Sequence, residues 1–412
     1  MSLTDARGLE LSGASPSALE HFERALAAHL RGHGDVARPL ALALVDAPGF
    51  AMAWLFSAYQ VLGGREPAGV ARAATILVRL AGMRLNARER AHAAAVAAMA
   101  DGEFDRAGAL HGAILAEYPR DVLALQVAHS CDYIRGDARS LKRRAAAVIP
   151  AWSEALPGYH AVLTMRAFAL EEAGAYCRAE EYVRRALALE PGDARAHHTM
   201  AHVHEMLGRA RDGIRWAGER APLWAGDDPL AVHNWWHVAL FNLRLGRTAQ
   251  ALAIYDRRIR PRLDGALSVA IDASALLWRV RLGGGEPGDR WHALADRWMP
   301  HAEDAYCAFN DVHAMMAFVA AGRRERANAL VAAQRGRAAL GGTNGAMTRF
   351  IGLPACLALR DFGEGRHGEA AARLRGLPPI AHRLGGSRAQ HGIIADTLDA
   401  ALRADRRLAL AA

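Results

Sequence analysis

Small residues recur at fixed offsets from a turn glycine in the middle of this chain. In residues 160–193 they are spaced by seven, five, seven and five positions, as Ala167, Gly174, Ala179, Ala186 and Pro191. Ala201 and Gly208 repeat the first two members 34 residues later. Alanine lets two helices approach closely, glycine makes the turn between them, and proline ends the second helix. The pattern therefore predicts stacked pairs of antiparallel helices.

The same spacing extends in both directions from this unit. Gly136 follows Gly102 by 34 residues, and Ala239 with Gly246 marks a further unit. A helix pair of this length is the tetratricopeptide period. The predicted fold class is therefore all-α, a right-handed superhelical solenoid of tetratricopeptide-like antiparallel helix pairs. Because no linker rich in Pro, Gly or Ser divides the chain, we expect one domain over residues 1–412, with a short flexible N-terminus at about 1–12 and a flexible C-terminus at about 405–412.

Composition excludes several classes of protein. No apolar run reaches the roughly 20 residues of a membrane span, and residues 1–12 lack the basic and apolar regions of a secretory signal. The four cysteines are far apart and form no CxxC motif, so neither a disulfide framework nor a thiolate zinc site is indicated. The net charge of +8 comes from scattered arginines rather than a dense basic patch. We therefore expect a cytoplasmic protein with no membrane or nucleic-acid partner.

Histidines and carboxylates gather on the predicted first helices, which line the concave groove of such a solenoid. Taking Ala167 and Ala201 as the eighth positions of their units places five of these side chains in the groove: Glu171, Glu172, His198, His202 and Glu205. In later units His233 takes a second position, and His237 and His313 take sixth positions. Titratable groups crowded in a sheltered groove are candidates for shifted pKa values.

Three functions are compatible with these positions. The first is acid/base chemistry on a bound small molecule without a cofactor, for which the predicted catalytic residues are Glu172, His198, His202, Glu205, His233, His237 and His313. The second is a noncatalytic scaffold that binds a peptide or protein in its groove, the commonest use of this architecture. The third is a metal-dependent enzyme, since the pairs His198/His202 and His233/His237 have the i, i+4 spacing that lets two imidazoles bind one divalent ion.

Several longer strings are not part of the generic repeat. They include HTMAHVHEMLGR at 198–209, HNWWHVALFNLRLG at 233–246, IDASALLWR at 271–279, FNDVHAMMAF at 309–318 and RLGGSRAQHG at 383–392. In this order they resemble the tetratricopeptide repeat protein 38 family, from about Leu9 to the end of the chain. The resemblance implies a single superhelical domain and attaches no known catalytic role to any residue. The last string departs from the family form GGSHAQRD at Arg388, His391 and Gly392.

These strings carry polar residues where a scaffold would need only packing residues. Together with Glu171, they supply the expected substrate-binding residues: Trp236, Asp272, Asn310, Asp311, Ser387 and Gln390. Ser387 and the amides beside it are a candidate for binding an anionic group. We therefore favour the acid/base enzyme, performing hydrolysis, isomerisation or cyclisation of a polar metabolite.

Overall fold

A computed structural model describes residues 3–411 of the chain. Within that range there are 22 α-helices and one short strand pair, which confirms the all-α prediction. Strands β1 (Leu3–Thr4) and β2 (Glu10–Leu11) pair in antiparallel register. Among these residues no helix combines the length and apolarity that a bilayer span needs.

The first twelve helices follow one another with short connections. They are α1 (Pro16–Arg31), α2 (Ala37–Asp46), α3 (Ala51–Gly63), α4 (Pro67–Ala81), α5 (Ala87–Ala100), α6 (Phe104–Glu117), α7 (Val122–Ile134), α8 (Ala138–Val148), α9 (Tyr159–Glu172), α10 (Tyr176–Leu189), α11 (Ala194–Met206) and α12 (Ala210–Trp224).

The remaining helices vary more in length, and a π-helical turn follows two of them. They are α13 (Pro229–Arg244), α14 (Thr248–Ile254), α15 (Leu267–Leu282), α16 (Arg290–Trp298), α17 (Ala308–Ala320), α18 (Arg324–Ala338), α19 (Gly342–Met347), α20 (Leu353–Gly363), α21 (His367–Leu374) and α22 (Arg388–Ala411). The π-helical turns are Tyr255–Ile259 and Thr348–Gly352.

The helix boundaries confirm the 34-residue period. Helix α10 begins at Tyr176 and α12 begins at Ala210, which is 34 residues later. The turn glycines Gly174 and Gly208 have φ angles of 79° and 68°, a region that residues with a Cβ rarely adopt. Ala167 is fully buried where α9 packs against its neighbours. Tetratricopeptide-like helix pairs are therefore present.

Asp193 joins two successive first helices. Its Oδ1 accepts a hydrogen bond from the Ala196 amide at 3.0 Å, which caps the start of α11. Its Oδ2 accepts from Thr164 at 2.8 Å and from His160 Nδ1 at 2.8 Å, both on α9. This histidine therefore has a structural role.

Asp121 repeats the arrangement earlier in the chain. It caps α7 and accepts bonds from Arg88 at 2.7 Å and from His92 Nε2 at 2.9 Å, both on α5. Burial alone would raise the pKa of this carboxyl, but His92 and Arg88 hold it well below its usual range. The Tyr59 hydroxyl donates to the His92 carbonyl at 3.2 Å and lies 2.8 Å from His92 Nδ1. This second clamp accounts for another of the chain's histidines.

Contacts within the chain divide it into two compact units. The first unit contains Met1–Tyr133, Asp137–Leu207 and Arg215–Asn234, and the second contains Ile134–Gly136, Gly208–Ile214 and Trp235–Ala412. The single domain over residues 1–412 stays a prediction. Residues 3–11, expected to be flexible, instead form the strand pair, since Arg7 is buried and bonds Asp5 at 3.0 Å and Glu23 at 2.5 Å.

Within the first unit, α1 contacts α11 and the start of α13. The Arg195 guanidinium on α11 donates twice to the carbonyl of His29 on α1, at 3.2 Å each. His33 Nδ1 donates to Asp228 at 2.7 Å, just before α13. At Gly32 a Cβ atom would lie 2.5 Å from the Leu230 side chain, so only glycine permits this approach. The end of α1 therefore covers the start of α11 and α13.

Candidate functional site

Two carboxylates occupy the last turn of α9. Glu171 is fully buried and Glu172 is 7% exposed. Negative charge is unfavourable at the C-terminal end of a helix, and buried carboxylates are costly without polar partners. We call Glu171 and Glu172 the carboxylate pair. A neighbouring cation or proton donor must stabilise their negative charge.

The neighbouring donors are histidines on α11. His198 and His202 lie one turn apart, and their Nε2 atoms are 2.9 Å from each other. Phe168 of α9 packs against both rings, stacked at 6.0 Å from His198 and edge-on at 5.5 Å from His202. Because one aromatic ring restrains both imidazoles, their orientation is set by the packing of α9 against α11.

His202 lies between His198 and the carboxylate pair. Its Nδ1 is 3.6 Å from Glu171 Oε2, and its side chain is 1% exposed. That separation is longer than a normal hydrogen bond but is within ion-pair range. A carboxylate on this side favours a proton on Nδ1, which leaves Nε2 as the basic nitrogen of a neutral His202.

His233 at the start of α13 completes the group. Its ring centroid is 4.8 Å from that of His198. One ring nitrogen from each of His198, His202 and His233 lies within 4.8 Å of the others, and the same limit holds for Glu171, Glu172 and His202. We call His198, His202 and His233 the histidine cluster. Imidazole nitrogen and carboxylate oxygen are the donor types that divalent zinc, iron and manganese bind, so these residues fit such an ion.

The structure thus brings together five of the predicted residues within the first unit. Glu205 is half-buried on α11, one turn after His202. Glu171, expected to bind substrate, lies in ion-pair range of His202, and its role stays a prediction.

The other predicted residues belong to the second unit and are all buried: Trp236, His237, Asp272, Asn310, Asp311, His313, Ser387 and Gln390. His313 Nδ1 donates to the Phe309 carbonyl at 2.7 Å, which makes Nε2 its basic nitrogen. Asp311 accepts a bond from Gln334 at 3.0 Å. Burial raises the pKa of the Asp311 carboxyl to about 7.

The glycine-rich loop before α22 has a structural explanation. The Ser387 amide donates to Gln390 Oε1 at 3.1 Å, as in a capping box, and this amide is thereby engaged within the chain. Gly385 has a φ of 80°, and a Cβ there would lie 2.4 Å from the Ile134 carbonyl oxygen. These contacts do not support the expected anion site at Ser387.

Sequence reasoning missed a residue beside the histidine cluster. Arg195 lies one turn before His198 on α11 and is half-buried. A cation in the first turn of a helix opposes the helix dipole, and this was a signal available in the sequence. The contact between Arg195 and His29 left no signal in the sequence, since 166 residues separate the two.

Comparison with known proteins adds information about the fold. No family model matches the chain. Similar solved structures include the APC/C hetero-tetramer Cut9-Hcn1, with 11% identity, a TM-score of 0.44 and coverage of 93% of this chain and 67% of that one. Yeast Tom70 has 12% identity and a TM-score of 0.41, with coverage of 95% and 88%. The human IFIT1 dimer with PPP-AAAA has 14% identity and a TM-score of 0.40, with coverage of 94% and 91%. At these identities and TM-scores the likeness concerns the helical architecture and carries no argument about function.

Proposed function

We propose that this protein is an enzyme that performs acid/base chemistry on a small polar molecule at the histidine cluster and carboxylate pair of its first unit. The observation that carries the proposal is the buried His202, with Nε2 2.9 Å from His198 Nε2 and Nδ1 3.6 Å from Glu171. A buried imidazole backed by a carboxylate is suited to accept a proton, because the carboxylate stabilises the imidazolium that forms.

The half-buried His198 is the entry point for the proton. When the substrate gives a proton to His198 Nδ1, the proton on His198 Nε2 moves to His202 Nε2, 2.9 Å away. The positive charge then lies on His202, facing Glu171. Return of the proton along the same path completes general acid catalysis, so the site suits hydrolysis, isomerisation or cyclisation.

The alternative is a noncatalytic scaffold for a peptide or protein. The helical-repeat fold by itself favours this alternative, since grooves of this kind most often bind extended peptides. Two features of the first unit favour the small molecule. The end of α1 covers the starts of α11 and α13, and Glu171 and His202 are almost fully buried. The resemblance to the tetratricopeptide repeat protein 38 family is compatible with either function.

The test is an untargeted activity screen. Purified protein is incubated with a cellular metabolite extract, and mass spectrometry follows every ion that decreases with time. We expect the native chain to deplete a polar metabolite, and Glu171→Gln to slow that depletion by about 10²–10⁴-fold. Glu154→Gln, an exposed position in the same unit, is the matched control and should retain the rate. Stoichiometric binding of one peptide with no metabolite turnover would instead establish the scaffold.

A metal-dependent enzyme is the second candidate, because a specific observation favours it. Two nitrogens on one tetrahedral zinc ion lie about 3.3 Å apart, given zinc–nitrogen bonds of about 2.0 Å. The His198 and His202 Nε2 atoms, 2.9 Å apart, are close to that spacing. Glu171 behind His202 also resembles the carboxylate that commonly orients a metal-binding histidine.

This candidate is tested by elemental analysis after dialysis. If it is right, zinc, iron or manganese should be present at close to one ion per chain, and His198→Ala should remove it. His160→Gln is the matched control, since His160 belongs to the Asp193 clamp of the same unit. A metal-free native protein with undiminished turnover would leave the acid/base enzyme without metal.

A further inference from the structure

Arg195 is a desolvated cation in the first turn of α11. Its Nε and Nη2 groups donate to the His29 carbonyl, and both bonds are 3.2 Å long. Within residues 3–411 no carboxylate lies in ion-pair range of this guanidinium. The carboxylate whose charge acts on the pKa of Arg195 is Asp193. Its oxygens already accept hydrogen bonds from His160, Thr164 and the Ala196 amide of α11. The guanidinium has five N–H donors, so its remaining donors are available to a ligand.

Two neutral imidazoles, those of His29 and His129, are close enough to Arg195 for its charge to act on their pKa values. Burial, and secondarily the charge of Arg195, lowers the pKa of both His29 and His129 to about 3. At neutral pH each ring therefore has one N–H donor and no charge. Gln60 Nε2 donates to His29 Nδ1 at 3.2 Å, which places the His29 proton on Nε2. Both residues are half-buried.

Phe168 links this region to the histidine cluster. The His129 ring is 5.4 Å from Phe168, which also contacts His198 and His202. Arg195, His198 and His202 are spaced i, i+3 and i+7, so they share one face of α11. A molecule of a few carbon atoms with one end at Arg195 would place its other end near His198.

From this arrangement we infer that Arg195, assisted by His29 and His129, binds the oxyanion group of an acidic small molecule. A carboxylate or a phosphate accepts from the guanidinium in a bidentate manner and from the imidazole N–H groups. The inference rests on the proposed function and deepens it, because it assigns the substrate to the class of small organic acids or phosphate esters. The rest of the molecule would then be positioned for proton transfer at His198.

The test uses acetate and inorganic phosphate as probes, titrated into the native chain by calorimetry in a buffer free of other oxyanions. We expect saturable binding of one equivalent of at least one probe. The stronger probe identifies the group as carboxylate or phosphate. Arg195→Gln should weaken this binding at least tenfold. Arg120→Gln is the matched control, because Arg120 also donates to a backbone carbonyl in the first unit, and it should bind like the native chain.

Arg195→Gln also removes the bonds to α1 and could impair folding. His129→Phe is the second variant, since it keeps Arg195 and a ring against Phe168 but removes the imidazole donor; we expect binding several-fold weaker with the helical signal unchanged. If neither probe binds saturably, or if Arg195→Gln and His129→Phe both bind as the native chain does, the inference is overturned. Metabolite turnover without probe binding would overturn the oxyanion site alone. Probe binding without turnover would overturn the enzyme and leave the oxyanion site.

Discussion

Asp311 gives a prediction whose sign and size follow from its surroundings. It is 3% exposed on α17 and accepts a bond from Gln334 on α18. Burial raises the pKa of its carboxyl from 3.8 to about 7, with a smaller contribution in the same direction from Asp304. Arg337 and the Gln334 bond act in the opposite direction and do not compensate.

A raised pKa in the folded state means that folding binds a proton. The contribution of Asp311 to the free energy of unfolding should therefore be largest below about pH 4, fall as the pH rises from about 4 to about 7, and level off above that. A difference of about three pKa units corresponds to about 4 kcal/mol. Asparagine resembles the protonated carboxyl, so Asp311→Asn should not show this decline. At pH 8 the variant should be the more stable protein, and at pH 4 the two should be alike.

The assay is thermal unfolding of both proteins from pH 4 to pH 8. Since 1 kcal/mol corresponds to about 2–4 °C in a unit of 150–250 residues, the expected difference at pH 8 is on the order of 10 °C. Asp296→Asn, at an exposed aspartate of the same unit, is the matched control and should follow the native curve. Parallel curves for the native chain and Asp311→Asn across this range would refute the reasoning.

Three further predictions concern stability. Asp121→Asn should lower the free energy of unfolding by roughly 3 kcal/mol at pH 7, because it leaves buried donors of α5 without their carboxylate. Since His92 and Arg88 hold the pKa of the native carboxyl well below its usual range, the difference from the native chain, read from urea midpoints, should persist down to about pH 4 and shrink only as the pH falls further. Gly386→Ala should lower the temperature of thermal unfolding, since φ at Gly386 is 84° and the new methyl would lie 2.6 Å from the Phe309 ring. Gly218→Ala is the control: it changes an exposed helical position with open space and should be neutral or stabilising in the same assay. Ser387→Ala removes the bond of 3.4 Å from the Ser387 hydroxyl to Gln390 Oε1 but keeps the amide bond to the same oxygen, so it should cost no more than about 1 kcal/mol in urea unfolding; a larger loss would contradict this reading.

The regular part of the fold could be predicted because its determinants are local. Ala167, Gly174 and Gly208 each report on a turn or a helix seam within a few residues, and the structure places all three as their spacing predicts. The strand pair was not foreseen. Arg7 in this pair bonds to Glu23 on α1, and no alternation of polar and apolar residues predicts that contact.

The site was partly predictable for the same reason. His198 and His202 share a face of α11 because of helical spacing, and the structure shows their Nε2 atoms 2.9 Å apart. The partnership of His202 with Glu171 required the packing of α11 against α9, so the sequence indicated a shared groove but not the pairing. The contact between Arg195 and His29 joins helices far apart in the chain and left no local signal.

The most direct test of the central claim compares His202→Gln with Ala201→Leu in the metabolite screen and in thermal unfolding. His202 faces Glu171 and His198, so His202→Gln should keep the helical fold with a modest loss of stability while turnover falls about 10²–10⁴-fold. Ala201→Leu should overpack the adjacent seam at a cost of roughly 1–3 kcal/mol and lose turnover only in proportion to the protein that unfolds. If His202→Gln instead turns over substrate at the native rate, or loses turnover only through unfolding, His202 is a core residue and the enzyme proposal is wrong.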